Sequence, residues 1–222
     1  MFRDRQAAGA LLARELSRYR VDKDAVVLAV PRGGLPVAGV LARELALKLD
    51  VILTKKIGHP DDPEFAIGAV SLTDESVDSA LVARESISRD DIAWEIERLR
   101  ASLHGRYRLY RGISGPLPVA GKTVILADDG AATGQTMLVA IDLLRRQGAR
   151  KIVAALPVAP RSTVELLTKR ADEMVCLLVP DDFTAISRFY TDFSQVSDEE
   201  ALRFLKDARL DERRAETKEK RR

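Results

Sequence analysis

The fold of this chain is decided by one stretch, Val124-Ile125-Leu126-Ala127-Asp128-Asp129-Gly130-Ala131-Ala132-Thr133-Gly134-Gln135-Thr136. Its first four residues form a short apolar run, which is typical of a strand buried on both faces of a parallel sheet. Two adjacent acids follow. A segment of small and hydroxyl-bearing residues then leads into an apolar helical pattern. The stretch therefore predicts a strand, a tight loop and the start of a helix.

The loop at residues 130–136 has the features of an anion-binding site. Free N–H groups in the first turn of a helix point outward, and the helix dipole favours negative charge there. Thr133 and Thr136 can add hydroxyl donors. The neighbouring Asp128 and Asp129 call for hydroxyl groups or a metal ion, because two bare carboxylates would repel a bound phosphate. We therefore expect a sugar phosphate, with its phosphate on the loop and its ribose hydroxyls on the acids.

The same stretch resembles the motif with which type I phosphoribosyltransferases bind 5-phosphoribosyl 1-diphosphate (PRPP). The four apolar residues, the two acids and the ending Thr-Gly-x-Thr occur in the order and spacing of that motif. The resemblance implies that the catalytic residues are Asp128 and Asp129, which hold the ribose hydroxyls and stabilise the developing ribosyl cation. It also implies that the 5′-phosphate lies on a loop made of Gly130, Ala131, Ala132, Thr133, Gly134, Gln135 and Thr136.

Three loop positions depart from the family pattern. Gly130 and Ala131 stand where larger aliphatic residues are common, so we expect a looser cradle that still approaches phosphate. Ala132 stands where hypoxanthine/guanine-type members carry an aspartate that helps to move the proton of the purine. The loop therefore argues against assigning a purine as the acceptor.

A second glycine turn, Pro31-Arg32-Gly33-Gly34, follows an apolar strand predicted over residues 25–30. Paired glycines let backbone approach a ligand closely, and the planar charge of Arg32 suits phosphate oxygens. Alone, this pattern also fits an ordinary connection between a strand and a helix. The resemblance favours the ligand role and implies that Arg32, Gly33 and Gly34 hold the diphosphate of PRPP.

Lys55 and Lys56 are further candidates for diphosphate binding. They follow an apolar run at residues 51–54, which predicts the next strand, and the carboxyl ends of parallel strands face the ligand in open α/β sheets. A solvated pair of charges is the alternative. In the family, a mobile loop in the region of residues 58–65 closes over PRPP.

Strands and helices alternate from residue 25 to residue 179, which predicts an α/β fold with a doubly wound, mainly parallel sheet. This Rossmann-like arrangement is the one that type I phosphoribosyltransferases have. Alternating apolar residues over 66–72 and 77–83 indicate an antiparallel pair that extends the sheet edge. One domain is expected over residues 1–210, with the core at residues 25–179.

A small hood over the acceptor base is implied by the resemblance, built from the N-terminus and residues 180–210. Aromatic residues gather there in a chain with only 5% of them. Phe183, Tyr190 and Phe193 are candidates to stack on the base, and packing against the C-terminal helix is the alternative. Residues 211–222 are almost wholly charged, which indicates a disordered, solvated tail.

The composition limits the class of protein, the partners and the cellular location that are expected for this chain. Hydrophobic residues at 46% and charged residues at 32% fit a globular protein with its own core. A net charge of +2 gives no basic field, so no nucleic acid is expected as a partner. No apolar run reaches the about 20 residues that span a bilayer, so no membrane association is expected. With the single Cys176 in an apolar run, we expect no disulfides and a cytoplasmic location.

The resemblance implies an Mg²⁺-dependent phosphoribosyltransferase that transfers the 5-phosphoribosyl group from PRPP to a nitrogen nucleophile, with a nucleobase as the favoured acceptor. Mg²⁺ would arrive with PRPP, near Asp128 and Asp129, without direct protein ligands of its own. Family members are commonly homodimers. A regulatory protein that binds PRPP or a nucleotide with little or no turnover is the alternative. A dehydrogenase fits poorly, because no Gly-x-Gly-x-x-Gly follows a strand.

Overall fold

The computed structural model describes residues 1–62, 65–111 and 116–219. In chain order the helices are α1 Arg5–Glu15, α2 Gly34–Leu45, α3 Ser79–Arg84, α4 Arg89–Arg111, α5 Gln135–Arg146, α6 Arg161–Thr168 and α7 Asp198–Glu219. The strands are β1 Ala25–Ala29, β2 Lys48–Val51, β3 Lys55–Gly58, β4 Ala66–Val70, β5 Glu75–Val77, β6 Thr123–Ala127, β7 Lys151–Val158 and β8 Glu173–Leu178. Short 3₁₀ helices lie at Ser17–Tyr19 and Ile186–Phe189.

Five strands form a parallel sheet in the order β2-β1-β6-β7-β8. The chain leaves β1 toward β2 in one direction and leaves β6 toward β7 in the other. The winding therefore reverses between β1 and β6, and ligands of open α/β sheets bind at such a reversal, beyond the carboxyl ends of the strands. The doubly wound parallel sheet is confirmed. The acid pair follows β6 and the glycine turn follows β1, so both lie at the reversal.

Both faces of this sheet are covered, because successive strand residues point to opposite sides. One set packs in a core that includes side chains of α1, α2 and α7; its members in the parallel sheet are Ala25, Val27, Ala29, Leu49, Val51, Ile125, Ala127, Val153 and Ala155. The other set packs with α5 and α6; its strand members are Val26, Leu28, Val124, Leu126, Ile152, Ala154 and Leu156. The apolar runs in the sequence are continuous because both of their faces are buried.

The antiparallel strands make a small sheet of their own, in the order β3-β4-β5. The sequence predicts a strand over residues 77–83, but β5 ends at Val77 and α3 begins at Ser79. The physical reason is the cap: the carboxylate of Asp78 accepts hydrogen bonds from the N–H groups of Ala80 and Leu81. In the region where the mobile loop was expected, Gly58 ends β3, and residues 59–62 and 65 belong to the connection between β3 and β4. Residues 63 and 64 are outside the described residues.

Strand β2 lies three residues earlier than the apolar run at residues 51–54 predicts. Helix α2 stops at Leu45, and Asp50 then lies inside the strand with only 2% of its surface exposed. An acid in a buried strand breaks the apolar pattern, but its oxygens accept from the N–H groups of Val51 and Leu117. Those hydrogen bonds allow the burial.

Helix α4 buries one stripe of its surface, since Ile92, Ile96, Leu99 and Leu103 are all less than a tenth exposed. Trp94 lies off the stripe and is 68% exposed. Helix α7 continues to Glu219, so the backbone of residues 211–219 is helical where the charge pattern predicts a disordered tail. Glu, Arg, Lys and Ala are strong helix formers, which accounts for the difference. Within the described part of the chain, the helices are too short or too polar to cross a membrane.

Candidate active site

The glycine turn after β1 packs directly against the acid pair after β6. A Cβ atom added at Gly33 would lie 2.2 Å from Oδ2 of Asp129, and one added at Gly34 would lie 3.1 Å from Oδ1 of Asp128. Only glycine allows so close an approach between backbone and carboxylate. The peptide bond between Pro31 and Arg32 is cis. The structure thus brings the two predicted halves of the site together at the reversal of the sheet.

Asp128 is an acid in an environment that disfavours its charge. Burial, and next the charge of Asp129, raise the pKa of Asp128 well above its ordinary value. Its Oδ1 accepts a hydrogen bond of 2.8 Å from the N–H of Asp129, which opposes the shift only in part. A carboxyl held in this way gains from any hydroxyl group or cation brought to it, because such a partner stabilises the ionised form.

Asp129 forms a buried ion pair that the sequence interpretation missed. Nε of Arg5 donates to Oδ2 of Asp129 over 2.7 Å, and both side chains are 11% exposed. Burial raises the pKa of Asp129, and the hydrogen bond and charge of Arg5 lower it. The backbone oxygen of Asp129 accepts a 2.6 Å hydrogen bond from the hydroxyl of Tyr190.

One signal in the sequence could have indicated this role for Arg5. Arg5 is the first residue of α1, where the helix dipole disfavours positive charge. An arginine at such a position implies a specific partner elsewhere in the chain. The partner itself could not be found by pattern, because it lies 124 residues away.

The loop at residues 130–136 leads into a helix start without a side-chain cap. Gly134, with φ of 73°, turns the chain into α5, whose first turn has no side-chain cap. Thr133, Gln135 and Thr136 lie at this start, and Gln135 and Thr136 are exposed. The loop is held from behind: the N–H of Ala131 donates to the oxygen of Val158 over 3.1 Å, and Thr163 Oγ1 donates to the oxygen of Ala132 over 2.7 Å. The loop thus ends at a helix start without a side-chain cap, which is the kind of site at which anions bind.

The small residues Gly130 and Ala131 do not leave the loop loose. A Cβ atom at Gly130 would lie 2.7 Å from Cγ2 of Ile186 and 3.1 Å from the oxygen of Val158. Ala131 is only 5% exposed. The expected looseness is therefore wrong: a small residue here makes room for the 3₁₀ helix that carries Ile186. Ala132, where an acid is expected in some relatives, is exposed.

Arg32 is about one-third exposed and is paired with the start of α7. Its Nη1 lies 3.6 Å from Oδ1 of Asp198, a distance at which the pairing is weak. The hydroxyl of Tyr110 donates to the same oxygen over 3.1 Å. Burial, and next the hydrogen bond with Asp198, raise the pKa of Tyr110 to about 12. Arg32 therefore stands beside the glycine turn as an accessible positive charge.

Lys55 and Lys56 are not placed as the sequence predicts. The strand that they were expected to follow ends at Val51, and both lie within β3 of the small sheet. Nζ of Lys55 donates to Oγ of Ser102 on α4 over 2.9 Å. Their position in β3 therefore gives no support to a contact with the diphosphate. That contact stays a prediction from the resemblance.

The aromatic segment packs mainly on the protein itself. Tyr190 is 5% exposed, and the centre of the Phe193 ring lies 3.7 Å from Cζ of Arg5. Phe183 is half-buried and stacks on Phe189, with 5.6 Å between ring centroids. These contacts join Tyr190 and Phe193 to the N-terminal segment and not to the C-terminal helix, so the packing alternative is not met in the form predicted, and stacking on a base stays a prediction. Phe183 keeps part of its ring accessible.

Comparison with known proteins finds relatives over most of the chain. The family model described as Phosphoribosyl transferase domain matches residues 3–194. A Mycobacterium tuberculosis protein named "Putative phosphoribosyl transferase" is 37% identical over 217 residues, which cover 95% of this chain and 48% of that protein. The chain thus spans about half the length of this curated relative.

Two further relatives match at closer to full length. The "Bifunctional protein PyrR" of Syntrophobacter fumaroxidans is 28% identical over 189 residues, which cover 81% of this chain and 84% of that protein. The crystal structure of a Thermus thermophilus protein, TT1426, has a TM-score of 0.83 and 40% sequence identity, and the match covers 92% of this chain and 97% of that chain. The fold described above is therefore shared with a solved structure.

Proposed function

The chain belongs to the phosphoribosyl transferase domain family, and on that premise we propose that it transfers the 5-phosphoribosyl group of PRPP to a nitrogen atom of a small acceptor, with release of diphosphate. The observation that carries the proposal is the contact between the Gly33-Gly34 turn and the Asp128-Asp129 pair at the reversal of the sheet. One loop supplies backbone and a positive charge, and the other supplies acids and a helix start.

The proposed reaction replaces one bond at C1 of the ribose with another. The acceptor nitrogen forms a bond to C1 while the bond from C1 to the diphosphate oxygen breaks, and the electron pair of that bond leaves with the diphosphate. Positive charge develops on the ribose in between. Carboxylates fixed beside it, Asp128 and Asp129, stabilise that charge, so catalysis rests on positioning and electrostatics and not on a protein nucleophile.

The two phosphate ends have separate places in this proposal. The 5′-phosphate lies at the start of α5, where Thr136 is exposed and the helix N–H groups point out. The leaving diphosphate lies at the glycine turn, where backbone comes close and Arg32 is accessible. Because Arg32 and Asp198 are 3.6 Å apart and partly solvated, a diphosphate can replace Asp198 at small cost.

Mg²⁺ is proposed to enter with the substrate. Among residues 1–62, 65–111 and 116–219, no three or more His, Cys, Asp or Glu side chains are grouped so that they could hold a metal ion. Mg²⁺ commonly binds through substrate phosphates, water and one or two carboxylates, and Asp128 and Asp129 offer such carboxylates. When bound, the ion neutralises charge on the leaving diphosphate.

The acceptor is proposed to be a nucleobase under the hood. Phe183 offers a partly accessible ring for stacking, close to the end of β8. The exposed Ala132 supplies no acid, so a purine that needs one to move its proton is disfavoured.

A homodimer, as in many members of the family, is also proposed. Light scattering that finds only monomers would contradict this oligomeric state.

The test is release of labelled diphosphate from PRPP in the presence of Mg²⁺ and a panel of purine and pyrimidine bases. We expect release with at least one base for the wild-type protein, and none for Asp128→Asn/Asp129→Asn, because that variant lacks both carboxylates. PRPP binding without release for any base would instead support a regulatory protein that binds PRPP. Equal release by the wild type and the double variant would contradict the assigned site.

A further inference from the structure

We propose that Arg5 is a positioning residue of this site, which neutralises and fixes Asp129 so that Asp128 alone binds the ribose hydroxyls. The inference rests on the proposed function and refines it, since the sequence motif assigns both acids to the ribose. It follows from the contacts around the carboxylate of Asp129, from the way Arg5 itself is held, and from the charge that PRPP brings.

The carboxylate of Asp129 is occupied on two sides. Its Oδ2 accepts from Nε of Arg5 over 2.7 Å. The same oxygen lies so close to Gly33 that a Cβ atom there would be 2.2 Å away. With 11% of its side chain exposed, Asp129 has little surface left for a ribose. Asp129 therefore has a structural role in the site.

Arg5 is itself fixed by the segment that forms the hood. Its Nη1 donates to the backbone oxygen of Ser194 over 2.8 Å, and its guanidinium lies 3.7 Å from the centre of the Phe193 ring. Tyr190 donates to the backbone oxygen of Asp129 over 2.6 Å. The hood segment therefore holds Asp129 twice, once through Arg5 and once through Tyr190.

The N-terminal residues fix this arrangement from the other side. The N–H of Phe2 donates to the oxygen of Phe189, and the N–H of Thr191 donates to the oxygen of Phe2, each over 2.8 Å. These bonds align the start of the chain with the hood segment just before α1 begins. Arg5 is the first residue of α1, so its guanidinium has a defined position beside Asp129.

The ion pair lets an acid pair and an anion cradle coexist. Two adjacent carboxylates would repel the phosphates of PRPP, and this repulsion is strong where water is excluded. Arg5 cancels one of the two charges, so the ribose end presents the single carboxyl of Asp128. Loss of Arg5 alone would leave Asp129 buried and unpaired, the costly arrangement for an ion pair in a protein interior.

The test compares PRPP affinity, by isothermal titration calorimetry with Mg²⁺, among variants of this pair. We expect Arg5→Met to weaken PRPP binding by about tenfold or more, because an unpaired carboxylate then faces the phosphates. Arg5→Lys should recover part of the loss, since it restores the charge. Arg3→Met is the matched control: the side chain of Arg3 is 80% exposed and pairs with its neighbour Asp4, so affinity should not change.

A second variant separates charge balance from simple damage. Arg5→Met/Asp129→Asn removes both charges together, so it should bind PRPP more tightly than Arg5→Met does, whereas Asp128→Asn should bind it more weakly than the wild type. Wild-type affinity in Arg5→Met would overturn the inference. So would a loss in the double variant equal to the sum of the two single losses. If the wild type does not bind PRPP at all, the proposed function fails first, so the two failures are distinguishable.

Discussion

At the scale of single residues, Asp128 is a group whose ionisation lowers the stability of the folded protein. Burial and the charge of Asp129 raise its pKa above the ordinary value of 3.8. A raised pKa in the folded state gives a contribution to stability that is present below the pKa of the unfolded chain and is lost as the pH rises through the folded-state pKa. The protein therefore carries a cost at neutral pH, which a hydroxyl group or cation bound to Asp128 would lower.

Replacing this carboxyl with an amide should relieve that cost. We expect Asp128→Asn to raise the Tm of the ligand-free protein at neutral pH, because the amide keeps an oxygen for the N–H of Asp129 and carries no charge. The gain should shrink as the pH falls toward 3.8. Differential scanning calorimetry over that pH range measures it, with the exposed Asp90→Asn as the control. A lower Tm at neutral pH would contradict the environment described for Asp128.

Gly130 lies against Ile186, so a larger side chain at this position should destabilise the protein. Gly130→Val should lower the free energy of unfolding by about 1–3 kcal/mol, since the new side chain overlaps Cγ2 of Ile186 and backbone of Val158. Adding Ile186→Ala should recover part of that loss. Urea denaturation of the three proteins decides the point. Equal stability of Gly130→Val and the wild type would show that the hood does not pack on the loop.

At the scale of elements, α4 carries its stability on one face. Leu103→Ala should lower the free energy of unfolding by about 2–5 kcal/mol, because Leu103 is 2% exposed and its removal leaves a cavity. Trp94→Ala on the same helix, at 68% exposure, should change it by less than about 0.5 kcal/mol. Urea denaturation again measures both. A large loss in Trp94→Ala would place that side chain in an interface between copies of the chain.

The elements also show where pattern is a good guide. Strands of the parallel sheet could be predicted because their apolar runs are buried on both faces. Strand β2 was displaced because Asp50 breaks the apolar run while hydrogen bonds make it tolerable inside. Helix α3 was taken for a strand because a single cap at Asp78 outweighs the alternating residues that follow it. Local hydrogen bonds of side chains decide such cases, and periodicity does not contain them.

At the scale of the whole molecule, the sequence located both loops of the site but not what joins them. The acids after β6 and the glycines after β1 could be predicted, because each lies in a short local pattern at a strand end. Arg5 could not, because its contact with Asp129 depends on how the N-terminal helix packs on the site. The contact made by Tyr190 could not be predicted either. Its hydroxyl donates to the backbone oxygen of Asp129, and its ring is buried.

PRPP is proposed to bind where these two loops meet, and calorimetric titration with PRPP and Mg²⁺ measures that binding. We expect the wild type to bind PRPP, and Asp128→Asn/Asp129→Asn to lose binding by about tenfold or more, because hydrogen bonds to ionised acceptors are among the stronger ones. The matched control is Asp90→Asn/Asp91→Asn, an adjacent and exposed acid pair at the start of α4, which should bind as the wild type does. Unchanged affinity in the Asp128→Asn/Asp129→Asn protein would contradict the claim.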